Sequence, residues 1–326
     1  MPKSVMPIVH SILDAQALGP AIAKHFELEG VHCELLTRGM NDVYLVRANG
    51  VKYAARVWRS NWRSENDVRY ELEFLGHLKA RGIAVPGPHP SPGERDYFVV
   101  EAPEGARCVA LFEWIDGKAY GGRPDPALAP AVGAAVAEMH LAARDFAATV
   151  GRPIHRAESF GSALPAVERL AAHRPDDVAL YRKVRDGIRG ALAAIGEDDV
   201  AIGPTHGDMH AFNVFIGLGG DITLLDFDGC GHGYWAHELV SFCWAAEKSQ
   251  LGQPVIDGYL AGYESVRPLG GRERELLPLF LAAKEFGYLC GFAANVDAIG
   301  HVAFRWPGLD WFAQSVQRNA AAAGLI

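Results

Sequence analysis

The chain has 326 residues, 49% of them hydrophobic and 21% charged, which is enough apolar material for two domains or one large one with a substantial core. A formal net charge of −8 excludes the broad basic face that nucleic-acid phosphates require, so no nucleic-acid partner is expected. Five scattered cysteines with no C-x-x-C pair speak against a disulfide framework and a zinc ribbon. The opening residues lack a signal-type apolar run, and no apolar stretch of membrane-spanning length is read, so the expectation is a reduced, cytoplasmic compartment with no membrane partner.

In chain order, Ile12, Leu13, Ala17, Leu18, Ile22 and Phe26 fall at helical spacing and predict a helix over 11–30, stopped at Gly30. Three β-rich segments follow, 32–37, 42–48 and 51–58, broken by R-G-M-N-D and by A-N-G. Asn49-Gly50 in the second break is a strong two-residue hairpin signal. A charged helix over 64–81 turns Leu72, Leu75 and Leu78 inward and closes at Gly82 and Pro86, and strands are expected at 97–100 and 107–115. Helices are then predicted over 126–146, 175–195, 234–249, 253–266, 272–294 and 309–323. The reading is an α+β chain: a small antiparallel sheet with one inserted helix over 1–115, and a larger, mainly helical part over 116–326. The break falls near W-I-D-G-K at 114–118.

One island, 204–228, interrupts the helical part. Two β-type runs, Asn213–Ile216 and Ile222–Asp226, flank the turn G-L-G-G-D, and a hairpin on that turn sets Asn213 opposite or nearly opposite Asp226. An Asn carbonyl and an Asp carboxylate are the hard oxygen donors that Mg²⁺ prefers when phosphate oxygens fill its other positions. Asp208, in the loop entering the hairpin, reaches the same place and can accept the proton of an attacking hydroxyl.

The stretch H-G-D-M-H-A-F-N, followed by D-F-D, resembles the catalytic loop and metal loop of the aminoglycoside phosphotransferase and choline kinase superfamily, relatives of the protein kinases. The resemblance implies a protein-kinase-like fold, with Asp208 as catalytic base, Asn213 and Asp226 as Mg²⁺ ligands, His206 steadying the loop and Asp228 near the metal. It implies ATP as donor, although GTP is not distinguished. R-G-M-N-D-V-Y-L-V is similar to the family's nucleotide-covering loop, with Gly39 allowing close phosphate approach and Asn41 and Asp42 forming the turn. In Y-A-A-R-V-W-R, Arg56 stands where the family usually has lysine; Glu71 is its expected partner on the following helix and Glu73 the rival. V-A-L-F-E-W-I-D-G resembles the lobe-connecting hinge, whose backbone at Glu113 and Ile115 would hold adenine. Glu238, in H-E-L, stands where relatives carry an aspartate that anchors the helix.

Asp226 precedes a predicted helix by about eight residues, too few for the peptide-docking segment of protein kinases, so the expected partner is a small-molecule hydroxyl acceptor: an aminoglycoside, choline, homoserine or a sugar. Trp235, Trp244, Phe286, Tyr288, Phe292, Phe304, Trp306 and Trp311, with the acids Glu238, Glu285, Asp297 and Asp310, offer a cation cage or simply core and solvated charge. Three alternatives stay open. One is a Ser/Thr protein kinase of the bacterial stress-response type, which A-A-R-V-W-R-S-N-W-R-S resembles. Another is a zinc hydrolase built on H-x-D-x-H with Cys230, His232 and His237. The third is a non-catalytic, kinase-shaped scaffold. Oligomeric state is not legible.

Overall fold

The computed structural model describes residues 6–154, 156–196, 199–301 and 304–326, without the side chains of Trp306 and Pro307. In chain order the elements are α1 (Ala15–Phe26), β1 (His32–Arg38), β2 (Asp42–Ala48), β3 (Val51–Val57), α2 (Glu65–Ala80), β4 (Tyr97–Ala102) and β5 (Gly105–Glu113). They continue with β6 (Lys118–Ala119), α3 (Ala129–Ala142), α4 (Leu164–Leu170), α5 (Pro175–Ala193), β7 (Ile202–Thr205), β8 (Val214–Ile216), β9 (Ile222–Leu224) and β10 (Gly231–Tyr234). Last come α6 (Trp235–Lys248), α7 (Gln253–Val266), α8 (Gly271–Ala294), α9 (Val296–Ile299) and α10 (Leu309–Ala322). Two compact units result: Met1–Asp116 with Ala148–Gly151, and Gly117–Ala147 with Arg152–Ile326.

The first unit is an antiparallel sheet of order β1-β2-β3-β5-β4. Asn49 and Gly50 both take left-handed φ, 50° and 78°, so the β2–β3 hairpin closes through the turn their chemistry favours. Leu18, Ile22 and Phe26 of α1 bury against Tyr44, Val46, Ala55, Val57, Val109 and Leu111. That helix is shorter than its apolar spacing predicts. The Asp14 side chain accepts the Gln16 N–H and sets the start, while Glu27 turns left-handed and ends it. Ile12 is left exposed. Asp42 opens β2 rather than lying in a turn, and its buried carboxylate accepts Arg107 Nη2 at 2.7 Å. Arg107 also donates to the Trp58 and Ser11 carbonyls at 2.9 and 2.8 Å, which fixes the strand end beside the 38–41 loop.

In the second unit, α4, α5, α6, α8 and α10 share one core that includes Phe160, Tyr181, Val184, Phe280, Phe286 and Phe312. By length and composition alone α8 could cross a membrane, but more than half of its apolar stretch is buried here, so its hydrophobicity is that of a core helix. α3 and α7 cross at touching distance: a Cβ on Gly133 would lie 1.9 Å from the Tyr259 carbonyl oxygen, and one on Gly262 would lie 1.8 Å from that of Pro130. The β8–β9 hairpin pairs Val214 with Leu224 and gains β6 as a third strand, while β7 pairs antiparallel with β10.

Candidate active site

The pairing of β7 with β10 builds the local frame. Gly231 lies opposite Thr205, so the loop leaving β7 (206–213) and the segment entering β10 (226–230) run side by side. They touch at two glycines: a Cβ on Gly207, whose φ is +82°, would sit 1.9 Å from the Gly229 carbonyl oxygen. Arg152, itself buried, holds the second segment by donating to the Asp228 carbonyl at 2.7 Å.

The loop is anchored from inside. His206 donates from Nε2 to the Leu225 carbonyl at 2.7 Å and accepts the Asp208 N–H on Nδ1 at 3.3 Å, which fixes its tautomer. Glu238, in the first turn of α6 and only 2% exposed, accepts the His206 N–H at 2.9 Å, the Gly207 N–H at 2.7 Å and His140 Nε2 at 2.7 Å. Burial works to raise the pKa of that carboxyl, but the His140 bond and the charges of His140 and His206 prevail and hold it below its ordinary value. Glu238 therefore anchors the 206–213 loop and does not cap its own helix, which has no side-chain cap. Behind it, His140 Nδ1 meets the Tyr263 hydroxyl at 2.9 Å, and Arg267 bonds both Tyr263 and Glu273.

Within this frame Asn213 Nδ2 donates to the Asp208 carbonyl at 3.0 Å, and the Leu225 N–H donates to the Asn213 carbonyl at 2.8 Å. Asn213 thus stands opposite Leu225, with Asp226 one residue further along. Asp226 is exposed and left-handed, with φ 60° and ψ 65°, a conformation that aspartate tolerates better than most residues and that is enriched at functional sites. His210 feels the charges of both Asp208 and Asp226, although burial is the larger influence and lowers its pKa. With Nδ2 engaged, Asn213 offers its Oδ1. Together with the Asp226 carboxylate this is a hard-oxygen donor set that fits Mg²⁺ completed by phosphate and water.

Asp208 is half exposed, and its Oδ1 lies 3.1 Å from Lys284 Nζ on α8, while Oδ2 lies 3.7 Å from His210 Nε2. Burial pushes its pKa up, but Lys284 and His210 outweigh this and bring it down to about 2. Nothing in the sequence pattern singles out Lys284, because a lone lysine in an apolar helix has no motif.

In the first unit Arg56 Nη1 lies 2.6 Å from Glu71 Oε1, with the guanidinium 5.3 Å from the Phe112 ring centroid and 5.6 Å from that of Trp58. Glu73, the rival, bonds Thr149 instead. The Gly39 N–H donates to the Asn41 carbonyl at 3.0 Å. Arg59, which the sequence reading passed over, ties that loop down. It donates from Nη2 to the Gly39 carbonyl at 2.8 Å and from its backbone N–H to Asn41 Oδ1 at 3.4 Å. The Glu113 N–H is taken by the Gly87 carbonyl at 2.9 Å, so only its carbonyl could serve an adenine edge; Ile115 is half-buried.

The zinc alternative finds no geometry: among the described residues no three of His, Cys, Asp and Glu are grouped to hold an ion. The cation cage is already filled. Lys248 Nζ lies 4.1 Å from the Tyr288 ring centroid, 5.0 Å from Trp244, 5.8 Å from Trp311 and 6.0 Å from Phe292. Phe286 is core, Asp310 pairs with Arg174, Asp297 is exposed, and the Trp306 side chain lies outside the described residues.

Comparison with known proteins bears on the family and the fold. An uncharacterized protein of Deinococcus radiodurans is 30% identical over 324 residues, covering 97% of this chain and 94% of its own. A homoserine kinase of Rhizobium etli is 33% identical over 223 residues, 66% of this chain and 65% of its own. The fold superposes on the amicoumacin kinase hAmiN, solved in complex with AMP-PNP, Ca²⁺ and Ami, with a TM-score of 0.77 at 19% identity over 94% of each chain. Residues 33–276 match the APH phosphotransferase enzyme family, and it is to this family, with its protein-kinase-like fold, that the chain belongs.

Proposed function

We propose that the protein transfers the γ-phosphoryl group of ATP to a hydroxyl of a small molecule, with Mg²⁺ held by Asn213 and Asp226 and with Asp208 receiving the hydroxyl. The observation that supports this reading is that two loops meet at Gly207 and Gly229, with Asn213 bonded to the Asp208 carbonyl on one of them and to Leu225, the neighbour of Asp226, on the other. Mg²⁺ bound there would neutralise charge on the phosphates. A carboxylate with a pKa near 2 is a weak base. It suits a loose transition state, in which Asp208 orients the hydroxyl by accepting its hydrogen bond and takes the proton late. The residues assigned to the nucleotide are Arg56, positioned by Glu71, the Gly39–Asn41 loop for the phosphates, and the Glu113 carbonyl and Ile115 N–H for the adenine.

A small acceptor is favoured over a peptide because α6 begins at Trp235, nine residues after Asp226, and β10 occupies part of that interval. The homoserine kinases among the relatives support an acceptor of metabolite size. The test is a nucleotide-consumption screen with Mg²⁺ across hydroxy amino acids, sugars, aminoglycosides, choline and protein substrates. Turnover restricted to protein hydroxyls, or none dependent on Mg²⁺, refutes the reading.

A further inference from the structure

Lys284 is 8% exposed, sits in the middle of α8, and lies 3.1 Å from the carboxylate that receives the acceptor hydroxyl. A buried ammonium is costly, and beside a general base it lowers basicity, so its position has a chemical price that pairing with a half-exposed carboxylate does not by itself explain. A second ammonium is close by. Lys248 and Lys284 approach the same indole, their Nζ atoms 5.0 and 5.9 Å from the Trp244 ring centroid, and Lys248 also stands over Tyr288, whose phenol feels the charge of Asp208. Besides Asp208, the acid that acts on Lys248 is Glu285, whose Oε2 accepts Trp244 Nε1 and Ser315 Oγ. Its Oε1 is buried with no partner among the described residues, and burial raises its pKa against the pull of Lys248, whose own pKa burial lowers; neither Nζ has a carboxylate other than Asp208 within salt-bridge distance among the described residues. The aromatic box that could have bound a substrate cation is taken by the chain's own ammonium.

On the phosphotransferase reading above, on which this rests, we propose that the acceptor carries an anionic group beside its hydroxyl: it is a hydroxy acid or hydroxy amino acid whose carboxylate is received by Lys284, with Lys248 reinforcing the positive wall. A purely cationic acceptor would bring like charge against both lysines.

The experiment compares matched acceptors with and without the carboxylate, homoserine against aminopropanol and hydroxybutanoate against propanol, on the wild-type protein and on Lys284→Gln and Lys284→Arg, with Mg²⁺ and ATP. In the wild type, kcat/KM favours the carboxylate member of each pair by about tenfold or more. Lys284→Gln collapses that ratio mainly through KM, and Lys284→Arg restores part of it. Two outcomes overturn the inference while leaving phosphotransfer standing: aminopropanol or choline turned over ahead of the acids, or Lys284→Gln lowering both members of a pair equally, which would make Lys284 only a positioning residue for Asp208. Absence of any Mg²⁺-dependent ATP turnover, with or without acceptors of either kind, overturns the phosphotransferase reading and this inference together.

Discussion

Replacing Glu238 by glutamine tests the anchoring of the 206–213 loop without changing side-chain shape. In the native structure one carboxylate oxygen accepts Gly207 N–H and the other accepts both His206 N–H and His140 Nε2. Glutamine can keep its oxygen at the doubly bonded position only by turning its NH₂ onto the Gly207 N–H, donor against donor. One bond to a charged acceptor is lost, worth about 1.5–3 kcal/mol, and one buried donor is left unsatisfied, about 1–3 kcal/mol. Relaxation of the loop offsets part of this, so a loss of roughly 3 kcal/mol is expected, read by calorimetry as about 6–12 °C for a unit of this size. The pH dependence has a definite sign. The folded pKa of Glu238 is depressed, so its ionised form contributes fully above the unfolded value of about 4.3 and progressively less as pH falls through the folded value. The gap between wild type and variant therefore closes in acid. A loss below about 1 kcal/mol at neutral pH, or a gap that widens as the solution is acidified, refutes the anchoring argument.

Asp208→Asn should lower kcat by about 10²–10⁴ while ATP affinity is nearly kept, measured by steady-state kinetics beside nucleotide titration; unchanged turnover removes the assigned base. Because Lys284 and His210 hold Asp208 near a pKa of about 2, it stays ionised throughout the assay range, and the wild-type kcat profile should show no acidic limb belonging to this group above pH ~4. Asp226→Ala should abolish the Mg²⁺ dependence of nucleotide binding in calorimetric titrations, and retention of that dependence counts against the metal assignment. Arg56→Lys should raise KM for ATP several-fold, since a lysine lacks the guanidinium that lies near the Phe112 and Trp58 rings and bonds Glu71; an unchanged KM places the nucleotide elsewhere.

Local chemistry by itself determined much of this protein. Asn49-Gly50 can take two left-handed φ values, so its hairpin was legible, and Val214 and Leu224 pair because G-L-G-G-D can turn. The nearness of the proposed site residues was legible because Asp208, Asn213 and Asp226 lie within nineteen consecutive residues, where spacing alone limits their separation. Boundaries that depend on caps were misjudged where apolar spacing outran them, as at Asp14 and Glu27 of the first helix. Only the tertiary structure decided between Glu71 and Glu73, because both face along one helix and their partners come from distant segments. It also decided that Glu238, held by His140 from ninety-eight residues away, anchors the loop, and that Lys248 fills the aromatic box. The same holds for Lys284, which reaches Asp208 across seventy-six residues of chain. Such pairings leave no periodic trace, because the contact exists only once the helices have packed, and it is these long-range pairs that set the charge around Asp208.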